Sequence, residues 1–299
     1  MANSLGGINL ADIAARTINA LTPVLLPLRS ISTDFSAEFS EPKESITTRI
    51  ATSTTADDVS GGFTADDQTS TAKTITLNKE LGKAIGFTQA ELSKGGEDRI
   101  LRTFAPTVTN AVGLGVIQEV IKLCTNANVS NVSTVAAGAW DVDDVADIAQ
   151  ALDEANVPQD RFMMMKPAYF TALAKDDVIQ HVDSAGSDET LRRHQISMVH
   201  GFQISQFNGF PTGDTTASEN LTVVAGGREG LLIGGRFPAQ TEAMGDVVAV
   251  ENVLEPETGF PFQFQQFYVP KERKHYFAVA TLFGVAIGNA DNLRRVKSS

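Results

Sequence analysis

The longest run of apolar positions lies between Glu97 and Asn126, EDRILRTFAPTVTNAVGLGVIQEVIKLCTN. From Pro106 onward its spacing predicts a helix, because proline suits a first helical turn, where its missing N–H costs nothing. Gln118, Glu119, Lys122 and Asn126 recur every three or four residues and form one wetted stripe. Around that stripe stand Val108, Ala111, Val112, Leu114, Val116, Ile117, Val120, Ile121, Leu123 and Cys124. A helix apolar over most of its circumference is buried on several sides. At 1.5 Å per residue it would run for about 30 Å. Gln118, Glu119 and Lys122 interrupt the apolar run, so the pattern reads as a core helix and not as a membrane span. Such a helix needs long partners on both sides.

Upstream, Leu10, Ile13, Ala14, Ile18 and Leu21 fall on one helical face behind an Asn9 cap, and Thr22-Pro23 is expected to end that helix. Between Asp34 and Gly86, Ser, Thr, Asp and Ala dominate and large apolar side chains are sparse. Two stretches there alternate as strands do: Ser45 to Thr52 through Ile46 and Ile50, and Ala72 to Leu81 through Ile75 and Leu77. Between them TTADDVSGGFTADDQTST, with Gly61-Gly62 near its centre, predicts the polar, flexible tip of a long hairpin. Two strands are marginal alone in water, and this pair has little to bury. The hairpin is therefore expected to protrude and to bury area only against a neighbouring subunit. Thr88 to Lys94 predicts a short helix stopped by Gly95-Gly96.

Beyond the long helix, Trp140-Asp141 opens a second amphipathic helix. Asp141 is its cap, Asp143 and Asp144 lie in its first turn, and Val145, Ile148, Ala149 and Leu152 form its buried face. Val157-Pro158 ends it, and Arg161-Phe-Met-Met-Met-Lys166 predicts a buried strand whose methionines fill core space. Pro167 starts another helix through Tyr169, Phe170 and Leu173. Strand signals follow at Phe202 to Phe207, Leu221 to Ala225 and Leu231 to Ile233, with Gly226-Gly227 and Gly234-Gly235 read as turns. Alternating helices and short strands from 140 to 235 predict an α/β lobe. Val247 to Leu254, Phe262 to Val269 and Tyr276 to Ile287 are long strand candidates, enough for an antiparallel sheet on which the long helix can pack.

Charge narrows the partners. A formal net charge of −12 makes the chain a poor candidate for gripping phosphate backbones, an affinity that comes from Lys and Arg. The basic cluster Arg294, Arg295 and Lys297 reads as a solvated tail. MANSLGG lacks the basic start of an export signal, so the chain is expected to stay in the compartment where it is made. A single cysteine, Cys124, excludes an internal disulfide and reads as a small hydrophobe.

No catalytic constellation is legible, neither a G-x-S-x-G elbow, a Walker loop nor H-E-x-x-H. His181, His194, His200 and His275 never stand three or four apart. His181 with Asp177 and Asp183 reads as surface loop sooner than metal site. The pairs Asp57-Asp58 and Asp66-Asp67 fit no calcium loop. Gly113-Leu-Gly115 reads as close helix packing. No catalytic residue, cofactor or metal ligand is expected.

The order of parts carries a resemblance. Ala20-Leu-Thr-Pro23, Leu152-Asp-Glu-Ala-Asn-Val-Pro158 with Arg161-Phe-Met-Met-Met165, Gly201-Phe-Gln-Ile-Ser205 with Phe207-Asn-Gly-Phe-Pro211, and Thr281-Leu-Phe-Gly-Val-Ala286 resemble successive stretches of the major capsid protein of tailed bacteriophages, the Hong Kong 97-type fold. The resemblance implies an α+β chain with an N-terminal arm (1–33), an extended β-hairpin loop (34–86), a peripheral domain with a long spine helix (87–137), an inserted α/β axial domain (138–235) and a returning antiparallel sheet with the C-terminal strand (236–299). It implies copies assembled as hexamers and pentamers into an icosahedral shell around double-stranded DNA, part of a virion built in the host bacterial cytoplasm. A separate scaffolding protein and a portal would be partners, and a membrane would not. The loop tip, Asp57, Asp58, Gly61, Gly62, Phe63, Asp66 and Asp67, would contact the adjacent subunit. Some family members join Lys to Asn between subunits; Lys73, Asn289 and Asn292 lie in comparable regions, but no local motif matches and no cross-link is assigned. Two alternatives stand beside this one: an encapsulin-like compartment that encloses enzymes, and an enzyme with a site in the 138–235 lobe.

Overall fold

A computed structural model describes residues 10–51, 60, 62, 70–95, 97–180, 196, 198–211, 220–239 and 247–299. The chain opens with α1 (Leu10–Leu25), which buries Leu10, Ile13, Ala14, Ile18, Leu21 and Leu25 as its periodicity requires. Pro23 lies inside this helix and not at its end; Asn9, the expected cap, lies outside the described residues. A 3-10 turn (Leu26–Ser30) leads into β1 (Ser32–Ser40), a strand that polar STDFSAEFS did not announce. Next come β2 (Ser45–Ala51), β3 (Ser70–Thr76) and β4 (Lys79–Thr88). The single strand expected from Ala72 to Leu81 is two, broken at Leu77 and Asn78. After α2 (Gln89–Gly95) the long helix α3 runs from Glu97 to Lys122, with Pro106 inside it. It starts nine residues before the expected first turn. With 26 residues, it is about 39 Å long at 1.5 Å per residue.

Between Arg99 and Lys122 this helix is long and apolar enough to cross a membrane, so its polar residues do not by themselves decide against a span. Its packing places it in the body. Gly113 meets Leu21 of α1, Gly115 meets Leu81 of β4, and the Glu119 carboxylate pairs with Lys79 of β4 at 2.7 Å.

The second half supplies β5 (Val132–Thr134), α4 (Val142–Glu154), β6 (Arg161–Met165), α5 (Pro167–Ala174), α6 (Asp177–Gln180), β7 (Met198–Val199), β8 (Phe202–Gln206), β9 (Leu221–Gly227) and β10 (Leu231–Pro238). It closes with β11 (Val247–Leu254), β12 (Pro261–Val269), β13 (Lys274–Ile287) and β14 (Leu293–Lys297). Asp141 caps α4 as expected: its side chain accepts from Asp144 N, while Asp144 accepts from Asp141 N.

Among the described residues the strands make two six-stranded sheets and one hairpin. The body sheet runs β1-β10-β13-β12-β11, with β4 also paired to β13; α1 and α3 pack with it around the larger core. The second sheet runs β5-β14-β9-β6-β8-β7. It separates two cores. In β6, Phe162 and Met164 join the body core, whereas Met163 and Met165 join a lobe core with Ile148, Leu152, Tyr169 and Leu173. Alternation across the strand is what buries all of Arg161-Phe-Met-Met-Met, since each face meets a different core.

Three local expectations are corrected. Gly226-Gly227 and Gly234-Gly235 are strand residues of β9 and β10, not turns. A Cβ on Gly226 would stand 2.4 Å from Asn292 O, so glycine serves close backbone approach there. The basic tail is also no tail: Arg295 is 1% exposed in β14, donating to Val129 O and Asn126 Oδ1, and Arg294 donates to Ala151 O.

Candidate functional site

The polar stretch from 34 to 86 divides in the structure. Its outer strands belong to the body: β1 pairs in parallel with β10, and β4 pairs antiparallel with β13. Arg236, 8% exposed, fastens β1 by donating to Asp34 O and Oδ1. Among the described residues only β2 and β3 form a separate hairpin, in register from Ser45 opposite Thr76 to Ala51 opposite Ser70. Its base does rest on its own subunit, contrary to expectation. Gly234 and Gly284 are partners across β10 and β13, and their missing side chains make a flat floor. Ile46 and Ile75 lie over that floor, and Ile75 and Leu77 are 1% and 0% exposed. A Cβ on Gly284 would stand 2.2 Å from Thr76 O. Away from the base, Ser70, Thr71, Ala72 and Thr74 are exposed.

Of the expected tip contacts, Asp57, Asp58, Gly61, Phe63, Asp66 and Asp67 lie outside the described residues. Gly62 is exposed, with φ of +114° and open space where a Cβ would point. That backbone conformation is one only glycine adopts freely. Between the hairpin and the lobe lies a cleft of about 590 Å³, which Lys73 lines from one side and Asn156, Glu229, Asn289 and Asn292 from the other.

The chemistry looked for elsewhere takes these positions. Among the described residues no group of three or more His, Cys, Asp or Glu is placed to hold a metal. His181, Asp183 and His194 lie outside the described residues, His200 is exposed, and His275 sits against Tyr268 with ring centroids 4.7 Å apart. Burial pushes the Cys124 thiol up to about 12, against the pull of Arg295. It is protonated, and no nucleophile, at neutral pH. In the lobe, Trp140, Asp144, Asp147 and Arg294 line a cavity of about 100 Å³, and burial raises the Asp144 carboxyl above its ordinary value. Ligand sites are usually about 300 Å³ or larger.

A surface the sequence reading missed is the outward face of α3. Phe104, Thr107, Ala111 and Leu114 are all exposed. The signal for it was the absence of any charged residue from Thr103 to Ile117.

No family model matches the sequence, and no curated protein matches it. Solved structures do match the fold. The capsid structure of the cyanophage P-SCSP1u superposes with a TM-score of 0.59 at 11% identity, covering 90% of this chain and 86% of that one. The capsid of a native GTA particle gives 0.56 at 14% identity over 93% and 90%. The mature capsid of bacteriophage PhiM1 gives 0.53 at 13% identity over 91% and 86%. The chain thus has the α+β fold of tailed-phage capsid proteins, over nearly its whole length.

Proposed function

We propose that this chain is the major capsid protein of a tailed-phage-type particle, assembling as hexamers and pentamers into an icosahedral shell around double-stranded DNA. One observation carries the proposal: the likeness to phage capsids extends over about nine-tenths of this chain and of theirs. The Hong Kong 97-type anatomy follows. Residues 1–33 serve as the N-terminal arm, 34–86 as the extended loop, 87–137 as the peripheral domain with α3 as its spine, 138–235 as the axial domain, and 236–299 as the returning sheet. The tip residues Asp57, Asp58, Gly61, Gly62, Phe63, Asp66 and Asp67 contact the adjacent subunit. A scaffolding protein and a portal are the further partners, and the particle is built in a bacterial cytoplasm. The net charge of −12 supports a wall that contains DNA without adhering to it.

Negative-stain electron microscopy of the expressed full chain tests this, with ultraviolet absorbance of purified particles to read their contents. Closed shells, or rings of five and six, are expected. A dispersed monomer, in the presence of its scaffold as well as alone, overturns the proposal. Shells filled with a protein cargo would establish the encapsulin-like alternative in its place.

A further inference from the structure

Asn208 is followed by glycine, and no other asparagine in the sequence is. The pair stands just past β8, where Phe207 N still donates to Met165 O at 2.9 Å. Asn208 is exposed in a bend of the backbone. Neither its side-chain amide nor the N–H of Gly209 has a hydrogen-bond partner among the described residues. Other asparagines are tied down. Asn126 Oδ1 accepts from Arg295, Asn128 Nδ2 donates to Leu123 O, Asn252 Oδ1 accepts from Gln263, and Asn289 Nδ2 donates to Asn292. Packing requires the glycine of the pair but not the asparagine. A Cβ on Gly209 would stand 2.5 Å from two ring atoms of Phe207 and 2.9 Å from Gln118 Cγ. Asn208 instead lines an open groove of about 830 Å³ with Leu114, Met198 and Phe207, and none of the groove's lining residues is Asp, Glu, Lys or Arg.

We propose that Asn208–Gly209 is a site of spontaneous covalent modification, at which the asparagine loses its amide nitrogen to attack by the chain's own backbone. Hydroxide takes the proton from Gly209 N, and that nitrogen attacks Asn208 Cγ. A new N–C bond forms, and the Cγ–Nδ2 bond breaks as water protonates the departing nitrogen to ammonia. Water then opens the five-membered imide at either carbonyl carbon, leaving aspartate at position 208 or its β-linked isomer. Nothing is oxidised or reduced; the sum is asparagine plus water giving acid plus ammonia. The missing Cβ at 209 leaves the nitrogen open to approach, and the missing hydrogen bond leaves it free to turn and to ionise. Either product carries a carboxylate, so each event takes the net charge from −12 to −13 and sets a charge on an uncharged groove wall. The β-linked isomer also lengthens the backbone by one methylene between Phe207 and Gly209, where the packing has no slack. Phe207 is 5% exposed and belongs to the body core, so the isomer loosens its seat. The proposal is independent of the shell function.

The test incubates the native full chain at pH 6 and at pH 8 and follows every asparagine by peptide mapping with mass spectrometry. A gain of one mass unit at 208 is expected, at least ten-fold ahead of every other asparagine and faster at pH 8. An enzyme that methylates isoaspartyl residues gives a second reading. It is expected to label the incubated parent and not Asn208→Gln, whose longer side chain must close a less favoured six-membered ring. No gain at 208, or an equal gain at other asparagines, overturns the proposal. Conversion of the urea-denatured chain with none in the native chain overturns it too, because the fold then withholds the Gly209 nitrogen. The mass reading is made on the parent and does not depend on a variant's folding. Converted chains separate by anion exchange on their added charge, and the β-linked fraction is expected to unfold at a lower temperature than the unconverted one. Equal midpoints overturn the consequence drawn for Phe207.

Discussion

Glu255 is a buried carboxylate at 0% exposure that accepts four hydrogen bonds. Its donors are Thr22 Oγ1, Glu257 N, Thr258 N and Thr258 Oγ1, so one side chain ties α1 to the turn between β11 and β12. Glu255→Ala would remove four part-buried hydrogen bonds and is expected to lower stability by about 2 kcal/mol, read by urea unfolding. Cys124 gives a pH-dependent case. Its folded-state value lies above the ordinary thiol value of 9.0, so the stabilisation is complete below that value and is lost as pH rises through about 12. A thiol reagent at pH 8 is expected to label Cys124 only after denaturation; rapid labelling of the native chain would show that the helix end is open. Neither feature could be read from residue type. Glu255 and Thr22 are 233 residues apart, and Arg295 looked like part of a tail until β14 was seen to run through the second sheet. The Asp141 cap was legible because the residues it needs lie within one helical turn.

Periodicity carried the elements well wherever one face meets one core. It found the buried faces of α1 and α4 and the buried strand β6, but on α3 it counted Ala111 and Leu114 as buried, and both are exposed. It failed at Pro106, where tertiary packing holds a proline inside a helix that local preference would begin there. It also failed at β1 and β4, polar strands whose pairing is decided by distant partners in β10 and β13. The contact of α1 with α3 depends on a missing side chain, since a Cβ on Gly113 would lie 2.5 Å from Leu21 Cδ1. Gly113→Val is expected to wedge the helices apart and cost about 2 kcal/mol in a denaturant titration, whereas Gly115→Ala meets only the movable end of Leu81 at 3.1 Å and is expected to cost less. Val120, 1% exposed on α3, tests burial directly. Val120→Asp would place an unpaired carboxylate in the core, and the soluble folded chain is expected to be lost; recovery of normal soluble protein would contradict the packing described.

For the whole molecule, the hairpin supplies a clean separation of folding from assembly. Its base is fixed by Ile46 and Ile75 on the Gly234–Gly284 floor and by the buried Leu77, within one subunit. Replacing 52–69 by a two-residue Asn-Gly turn suits a tight antiparallel connection. The shortened chain is expected to unfold within a few degrees of the parent by calorimetry and to form no shells. Intact particles from it would remove the tip from the proposed subunit contacts.

The sequence by itself determined the elements whose information is local: amphipathic helices, the helix cap, the buried Met strand, the polar hairpin and the order of parts that resembles a phage capsid protein. Hydrophobic spacing and capping act within a few residues, so they survive without knowledge of the fold. Only the tertiary structure decided what each polar strand pairs with, where the glycines let backbones approach, and which apolar side chains remain uncovered. Phe104, Leu114 and Met198 look like core residues in the chain and stand exposed in the subunit. Exposure is a property of neighbours brought together by folding.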